Sequence, residues 1–330
     1  MGAISIVRYN SENKEEWNSF VRKSKNGLFM YDRNYMDYHS DRFIDHSLMF
    51  FNEESLIALL PANERDHVLI SHGGLTYGGL LTDTSIKQHT VIDCFEAIVK
   101  YAAEAGIKTI IYKPVPHVFH QQPAEEDLYA LSRVGAKLTE VSSSTVVDLR
   151  NPLKMPKGRK AQISRAKREG VEIRVLDEKS DYEKFIDLEN EILGERHGVK
   201  AVHTADELFL LHSKFPENIH LYGALKDGAL IAGTVVFEYE QAIHTQYMAS
   251  NDLGRTIGAL DLAVSTVIND YKEKKLWLDF GISTEEHGAV LNEGLISQKE
   301  GFGGRTNVYM VWEYRNDSEL TNRGGTVPLE

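Results

Sequence analysis

His244-Thr245-Gln246-Tyr247-Met248-Ala249-Ser250, Gly254-Arg255-Thr256-Ile257-Gly258-Ala259 and Leu276-Trp277-Leu278-Asp279-Phe280-Gly281 are the three stretches that decide the fold. The first is extended and rich in strand-forming residues. The second opens a helix whose apolar face is Ile257, Leu260, Val264, Val267 and Tyr271, at the three- and four-residue spacing of one helix side. The third is an apolar strand stopped by a glycine. Upstream, residues 219–224 and 230–237 flank Lys226-Asp227-Gly228, an Asp-Gly hairpin signal. The order is hairpin, extended arm, helix, strand.

The first half of the chain repeats it. Residues 47–51 and 55–60 flank the turn Asn52-Glu53-Glu54, and 68–81 reads as an extended arm interrupted by Gly73-Gly74 and Gly78-Gly79. A helix follows with Val91, Phe95, Ile98, Val99 and Ala102 on one face, then a β-branched strand at 109–112. A shift of 169 positions lays Val91 on Leu260, Phe95 on Val264, Ile98 on Val267 and Ala102 on Tyr271. The shared order predicts an internal duplication, with domains at 1–150 and 151–330 joined through 151–157 and the last residues packing back on the first domain.

Composition bounds the function. The chain has 330 residues, net charge −12 and one cysteine, so a disulfide scaffold is excluded. The start MGAISIVRYN lacks a basic stretch before an apolar run, and no apolar stretch approaches the ~18 residues of a membrane span. A soluble cytoplasmic protein is expected. Net acidity disfavours DNA or another large polyanion, because phosphate contacts need clustered cations. One strip differs. Residues 150–174 hold nine Lys and Arg against Glu169 and Glu172, a local site for a particular anion.

Hairpin, long strand, helix beginning at a glycine and a strand that splays away together resemble the GNAT acyltransferases. Gly254 to Ala259 resembles the GNAT pyrophosphate loop, Arg/Gln-x-x-Gly-x-Gly/Ala, in which free N–H groups at a helix start favour phosphate. Arg255 and Gly258 match, while the final small residue follows Gly258 directly. The basic run Arg159-Lys160-Ala161-Gln162-Ile163-Ser164-Arg165-Ala166 with Gly170-Val171, the helix end Glu195-Arg196-His197-Gly198, Asp279-Phe280-Gly281 and Lys299-Glu300-Gly301-Phe302 are similar to the second domain of the Fem family of peptidoglycan aminoacyltransferases and of duplicated GNAT proteins from polysaccharide clusters.

The resemblance implies two tandem GNAT-like domains, each an α/β unit with a mixed, mostly antiparallel sheet flanked by helices. The second would hold the donor. The first, with Thr84-Ser85-Ile86-Lys87 in place of the glycine loop, would shape the acceptor site through Tyr77, Gly78 and Gly79. The implied activity is transfer of an acyl group from acyl-CoA, a co-substrate with no tightly bound cofactor, to an amino group of a nucleotide sugar or cell-envelope precursor. The alternatives are aminoacyl transfer from tRNA to a peptidoglycan precursor, disfavoured by net acidity and by the missing coiled-coil insertion, and a non-catalytic protein that binds an anionic sugar or peptide.

Amide formation needs a base for the amine proton and donors for the oxyanion. Asp279, at the end of an apolar strand, is the first candidate base, with its pKa raised by partial desolvation. His244 is the second; it is expected to share one strand face with Gln246 and Met248. Donor contacts are assigned to Gly254, Arg255, Gly258, Ala259 and Lys299. Substrate contacts are assigned to Arg159, Lys160, Arg165, Arg196, His197, Gln246 and Tyr247. His117 and His120 lack the acidic partners of a metal motif, so no metal is expected. Cys94, on the apolar face of its helix, reads as a buried thiol.

Overall fold

A computed structural model describes residues 4–197 and 201–316, with backbone alone for 193–197. Contacts divide the chain into two compact units, 1–140 with 310–330, and 141–309. Where the sequence reading divides at 150, the contacts divide at 140, because residues 144–148 pair with the strand Trp277–Ile282 of the second unit. Among the described residues no helix is long and apolar enough to cross a membrane.

The second unit is built on an antiparallel meander. Glu172–Leu176 pairs with Ile219–Lys226, which pairs with Ala229–Glu238, which pairs with Ala242–Ser250. Asp227 and Gly228, both at positive φ, form the tight hairpin that the Asp-Gly signal requires. Beyond Ala242–Ser250 the sheet continues through Trp277–Ile282 in parallel and then Lys137–Asp148 in antiparallel. One face is covered by the helix Ala259–Tyr271, whose Val264 and Val267 pack with Val236, Ile243, Leu278 and Phe280. The other carries the helix Lys179–His197, which packs on Ala229–Glu238 and Ala242–Ser250.

The first unit repeats that order. Ile4–Arg8, Leu48–Asn52, Ser55–Leu60 and Leu81–Thr82 form an antiparallel sheet, followed by the helix Gln88–Glu104 and the strand Thr109–Tyr112. Val91, Phe95, Ile98 and Ala102 are buried in its core, as their spacing predicts. Cys94 is fully buried there, and burial pushes its thiol up to about 12. The expected arm at 68–81 is not one strand. It runs as Val68–Ile70, a loop through the glycines, then Leu81–Thr82. Leu81–Thr82 pairs with Ser55–Leu60, whereas Thr109–Tyr112 pairs with Val68–Ile70 and residues 312–315.

Candidate functional site

The site in the second unit is set by where two parallel strands part. Ala242–Ser250 pairs with Trp277–Ile282 only at residues 242–244, and His244 opposite Asp279 is the last pair. Gly281, at φ +70, and a register shift between Asp279 and Ile282 turn the second strand toward Lys137–Asp148. A bulge at Gln246 bends the first strand, since Val235 faces Tyr247 and Val236 faces Thr245. The extra residue also changes which side chains share a face. Tyr247, and not Gln246 or Met248, joins His244, because both lie opposite the i, i+2 residues Phe237 and Val235. That corrects the simple alternation read from the sequence.

Asp279 stands at the apex of this wedge and is fully buried. Ser144 Oγ donates to its Oδ1 at 2.5 Å. Its Oδ2 accepts from His244 Nδ1 at 2.7 Å, Tyr309 OH at 2.7 Å and Gly281 N–H at 2.9 Å. Burial pushes the carboxyl up, but the hydrogen bond and charge of His244, with the hydroxyls of Ser144 and Tyr309, outweigh it and hold the pKa below the ordinary value. The expected raised pKa is not what this environment gives. Asp279 is an ionised anchor that fixes the ring of His244. The same carboxylate and burial raise the Tyr309 phenol well above its usual value, which keeps it a hydrogen donor.

Lys299 is buried and its Nζ donates to the carbonyls of Gly281 at 3.0 Å and Ile282 at 2.6 Å. Desolvation lowers its pKa to about 8, against the pull of Asp279. It braces the glycine turn beside Asp279. On the arm beyond the bulge, Tyr247 OH lies 2.5 Å from Nδ1 of the buried His203, while Gln246 is half-buried.

The glycine loop is two successive helices joined at Gly258. It forms a short helix, Asp252–Ile257, then Gly258 at φ +79, then the helix Ala259–Tyr271. Asn251 Oδ1 accepts from Gly254 N–H, Arg255 N–H bonds the Asn251 carbonyl, and Gly258 N–H bonds the Gly254 carbonyl. A Cβ on Gly258 would lie 2.7 Å from the Gln162 carbonyl, so this glycine and the buried Ala259 serve the packing of the helix Lys157–Arg168. Arg255 is held by Asp252 and by the Ser250 carbonyl at 2.6 Å. It borders an open pocket of about 220 Å³ whose other lining includes the acidic Glu191 and Asp252.

The cationic strip separates into two kinds of residue. Arg159 pairs with Asp261, donates to the Gln298 carbonyl at 2.7 Å and lies 4.1 Å over the Phe302 ring. It is a clamp within the unit, which corrects its assignment to substrate. Lys154, Lys157, Lys160, Arg165, Lys167 and Arg168 are exposed and, among the described residues, have no ion-pair partner. The side chains of Arg196 and His197 lie outside the described residues. In the first unit, Tyr77 is 2% exposed and stacks on Phe119, and Gly78 backs onto the Ser71 carbonyl. Tyr77, Gly78 and the buried Gly79 are core positions there, which corrects their assignment to the acceptor.

Several groups escaped the sequence reading. Ser144 and Tyr309 lie 135 and 30 positions from Asp279, with no local pattern to link them. Glu189 left a signal. It occupies the i+7 place in the stripe Tyr182, Phe185, Ile186, Glu189, where a core helix carries an apolar residue. Among the described residues no cluster of His, Cys, Asp and Glu is fit to hold a metal ion.

Residues 157–287 match the family described as an acetyltransferase (GNAT) domain. No curated protein matches the chain in sequence. Among solved structures, FemX is similar with TM-score 0.67 and 11% identity, over 94% of this chain and 97% of that one. The L-PGS from Bacillus licheniformis is similar with TM-score 0.60 and 15% identity, over 95% and 94% of the two chains. A tandem GNAT protein from the clavulanic acid biosynthesis pathway is similar with TM-score 0.52 and 11% identity, over 95% and 98%. The parted strands around His244 and Asp279 fall inside the matched acetyltransferase (GNAT) domain, and the chain as a whole shares its fold with FemX, L-PGS and the tandem GNAT protein.

Proposed function

We propose that this protein transfers an acyl group to an amino group of a nucleotide sugar or cell-envelope precursor, with His244 as the base. The observation that carries this reading is the His244–Asp279 pair at the point where the strands separate. In its neutral form the ring keeps its proton on Nδ1, toward the carboxylate of Asp279, and its lone pair on Nε2. That nitrogen takes the proton as the amine adds to the acyl carbonyl. The resulting imidazolium is stabilised by the carboxylate behind it, a role worth ~10²–10⁴ in rate.

Acyl-CoA is the first donor to test. A second donor, an aminoacyl ester carried on tRNA, is supported by two features: the internally bonded N–H groups of the glycine loop and the exposed cations of the helix Lys157–Arg168. The test is acyl transfer to UDP-linked amino sugars, followed by mass spectrometry, with acetyl-CoA in one arm and alanyl-tRNA in the other. Product in either arm that disappears in His244→Gln supports the reading. Product at full rate in that variant removes His244 from it, and no product with any donor and acceptor in a folded protein moves weight to the binding-only alternative.

A further inference from the structure

The helix Lys157–Arg168 has two unlike sides. At 100° per residue, Arg159, Ile163 and Ala166 fall within about 60° of one another. This stripe docks, with Ala166 buried and the other two half-buried, and the helix packs on Asp252–Ile257 and Ala259–Tyr271. On the other side Lys157, Lys160, Arg165, Lys167 and Arg168, with the small Ala161 and Ser164 between them, fill an arc of about 160°, and every one of them is exposed. No acidic residue interrupts the helix. The two carboxylates that follow it are engaged elsewhere: Glu169 lies 4.0 Å from Lys226, and Glu172 pairs with Arg174 at 2.5 Å. The five cations of the arc have no ion-pair partner among the described residues. Residues 150–174 carry +7 in a chain of net charge −12, so the rest carries −19. One cationic face on an acidic molecule lets an anionic surface hold it in a single orientation.

We propose that this face docks the protein on an anionic lipid surface. A cluster of Lys and Arg along the outer side of a helix is the pattern that anionic headgroups hold. The features that a nucleic acid would use besides charge are missing from the arc. It has no aromatic side chain on which a base could stack, and no Asn or Gln to read a base edge. Leu153 adds an apolar contact. It stands next to Lys154 in the segment leading into the helix and is 47% exposed, although its backbone packs on Gly303, where an added Cβ would meet the Leu153 carbonyl. An aliphatic side chain beside cations suits the headgroup boundary of a bilayer. Docking is a separate property from acyl transfer and does not rest on it.

The test is sedimentation of the whole protein with two kinds of vesicle, phosphatidylglycerol mixed with phosphatidylcholine and phosphatidylcholine alone. A helix variant carries Lys157→Gln, Lys160→Gln, Arg165→Gln, Lys167→Gln and Arg168→Gln. A control variant of the same net charge carries Lys23→Gln, Lys100→Gln, Lys108→Gln, Arg133→Gln and Lys137→Gln, all at exposed positions elsewhere. The wild type and the control are expected to bind the anionic vesicles, less tightly as salt rises, and to ignore the neutral ones. The helix variant should keep its melting temperature, because its substitutions are exposed. It should bind the anionic vesicles about 10³-fold more weakly, since each cation near such a surface contributes roughly fivefold. Failure of the wild type to sediment with anionic vesicles, or equal losses in the two variants, overturns the proposal. Total tRNA titrated in a parallel arm covers the rival partner. tRNA held through the same five residues, without vesicle binding, gives the face to nucleic acid and overturns the proposal as well.

Discussion

His244 Nδ1 and Asp279 Oδ2 lie 2.7 Å apart, in register, at the last paired position of two parallel strands that then separate. The pair couples the proposed base to the architecture, because the carboxylate that orients the imidazole also holds Ser144, Tyr309 and the turn at Gly281. His244→Gln and Asp279→Asn should consequently differ. The first should fold with a melting temperature near that of the wild type and lose ~10²–10⁴ in kcat. The second should lose activity and also about 1–3 kcal/mol of stability, since an amide cannot satisfy all four donors. Paired kinetics and thermal melts of the two variants check this.

Acid stability should report Asp279. Its folded pKa lies below the ordinary value of 3.8, so the group stabilises the fold at neutral pH. That contribution persists above the unfolded pKa and is lost as pH falls from about 4 toward the folded value. Denaturant melts between pH 2 and 6 should show a shallower acid limb in Asp279→Asn than in the wild type.

Residues of the basic helix should divide sharply. Arg159→Gln breaks the clamp to Asp261 and Gln298 and is expected to cost about 3 kcal/mol, as for a partly buried ion pair losing one member. Lys160→Gln and Arg165→Gln leave the fold within about 0.5 kcal/mol, because both side chains are exposed and unpaired. If they meet an anionic substrate they raise KM, and the effect shrinks with salt. Chemical denaturation and salt-dependent kinetics read the two outcomes.

Gly258→Ala should destabilise the protein by about 1–2 kcal/mol or more. A side chain there is forced into the left-handed region and against the Gln162 carbonyl. A phosphate-binding glycine with room around it would tolerate alanine and lose ligand affinity instead. The melting temperature of Gly258→Ala distinguishes the two.

The fold was legible because its signals are local. The Asp227-Gly228 hairpin, the Val91–Ala102 and Val264–Tyr271 faces and the strand before Gly281 each follow from spacing within a dozen residues. The candidate site was legible only in part. His244 and Asp279 stand out as polar residues within apolar strands. Their chemistry depends on Ser144 and Tyr309, which only the sheet brings near. Gly258 is ambiguous for a physical reason: a glycine required by close helix packing has the same sequence signature as one that makes room for phosphate. Likewise Arg159 and Lys160 are adjacent cations in the sequence, yet a 100° step around the helix half-buries one and exposes the other.

The parting of the strands after His244 gives this sheet an inner border. A sheet ordinarily leaves main-chain groups unpaired only at its two outermost strands. Here residues 245–250, although mid-sheet, lack a ladder partner on the side of Trp277–Ile282. Side chains satisfy some of this backbone, as Arg255 does the Ser250 carbonyl and Thr234 the Tyr247 carbonyl, and the remaining groups on that side are open to water or to a molecule lodged in the gap. Recognition at that border is written in backbone, so an alanine scan would pass over it in silence. Changes that erase a main-chain donor, such as proline or an ester linkage, would bring it to light.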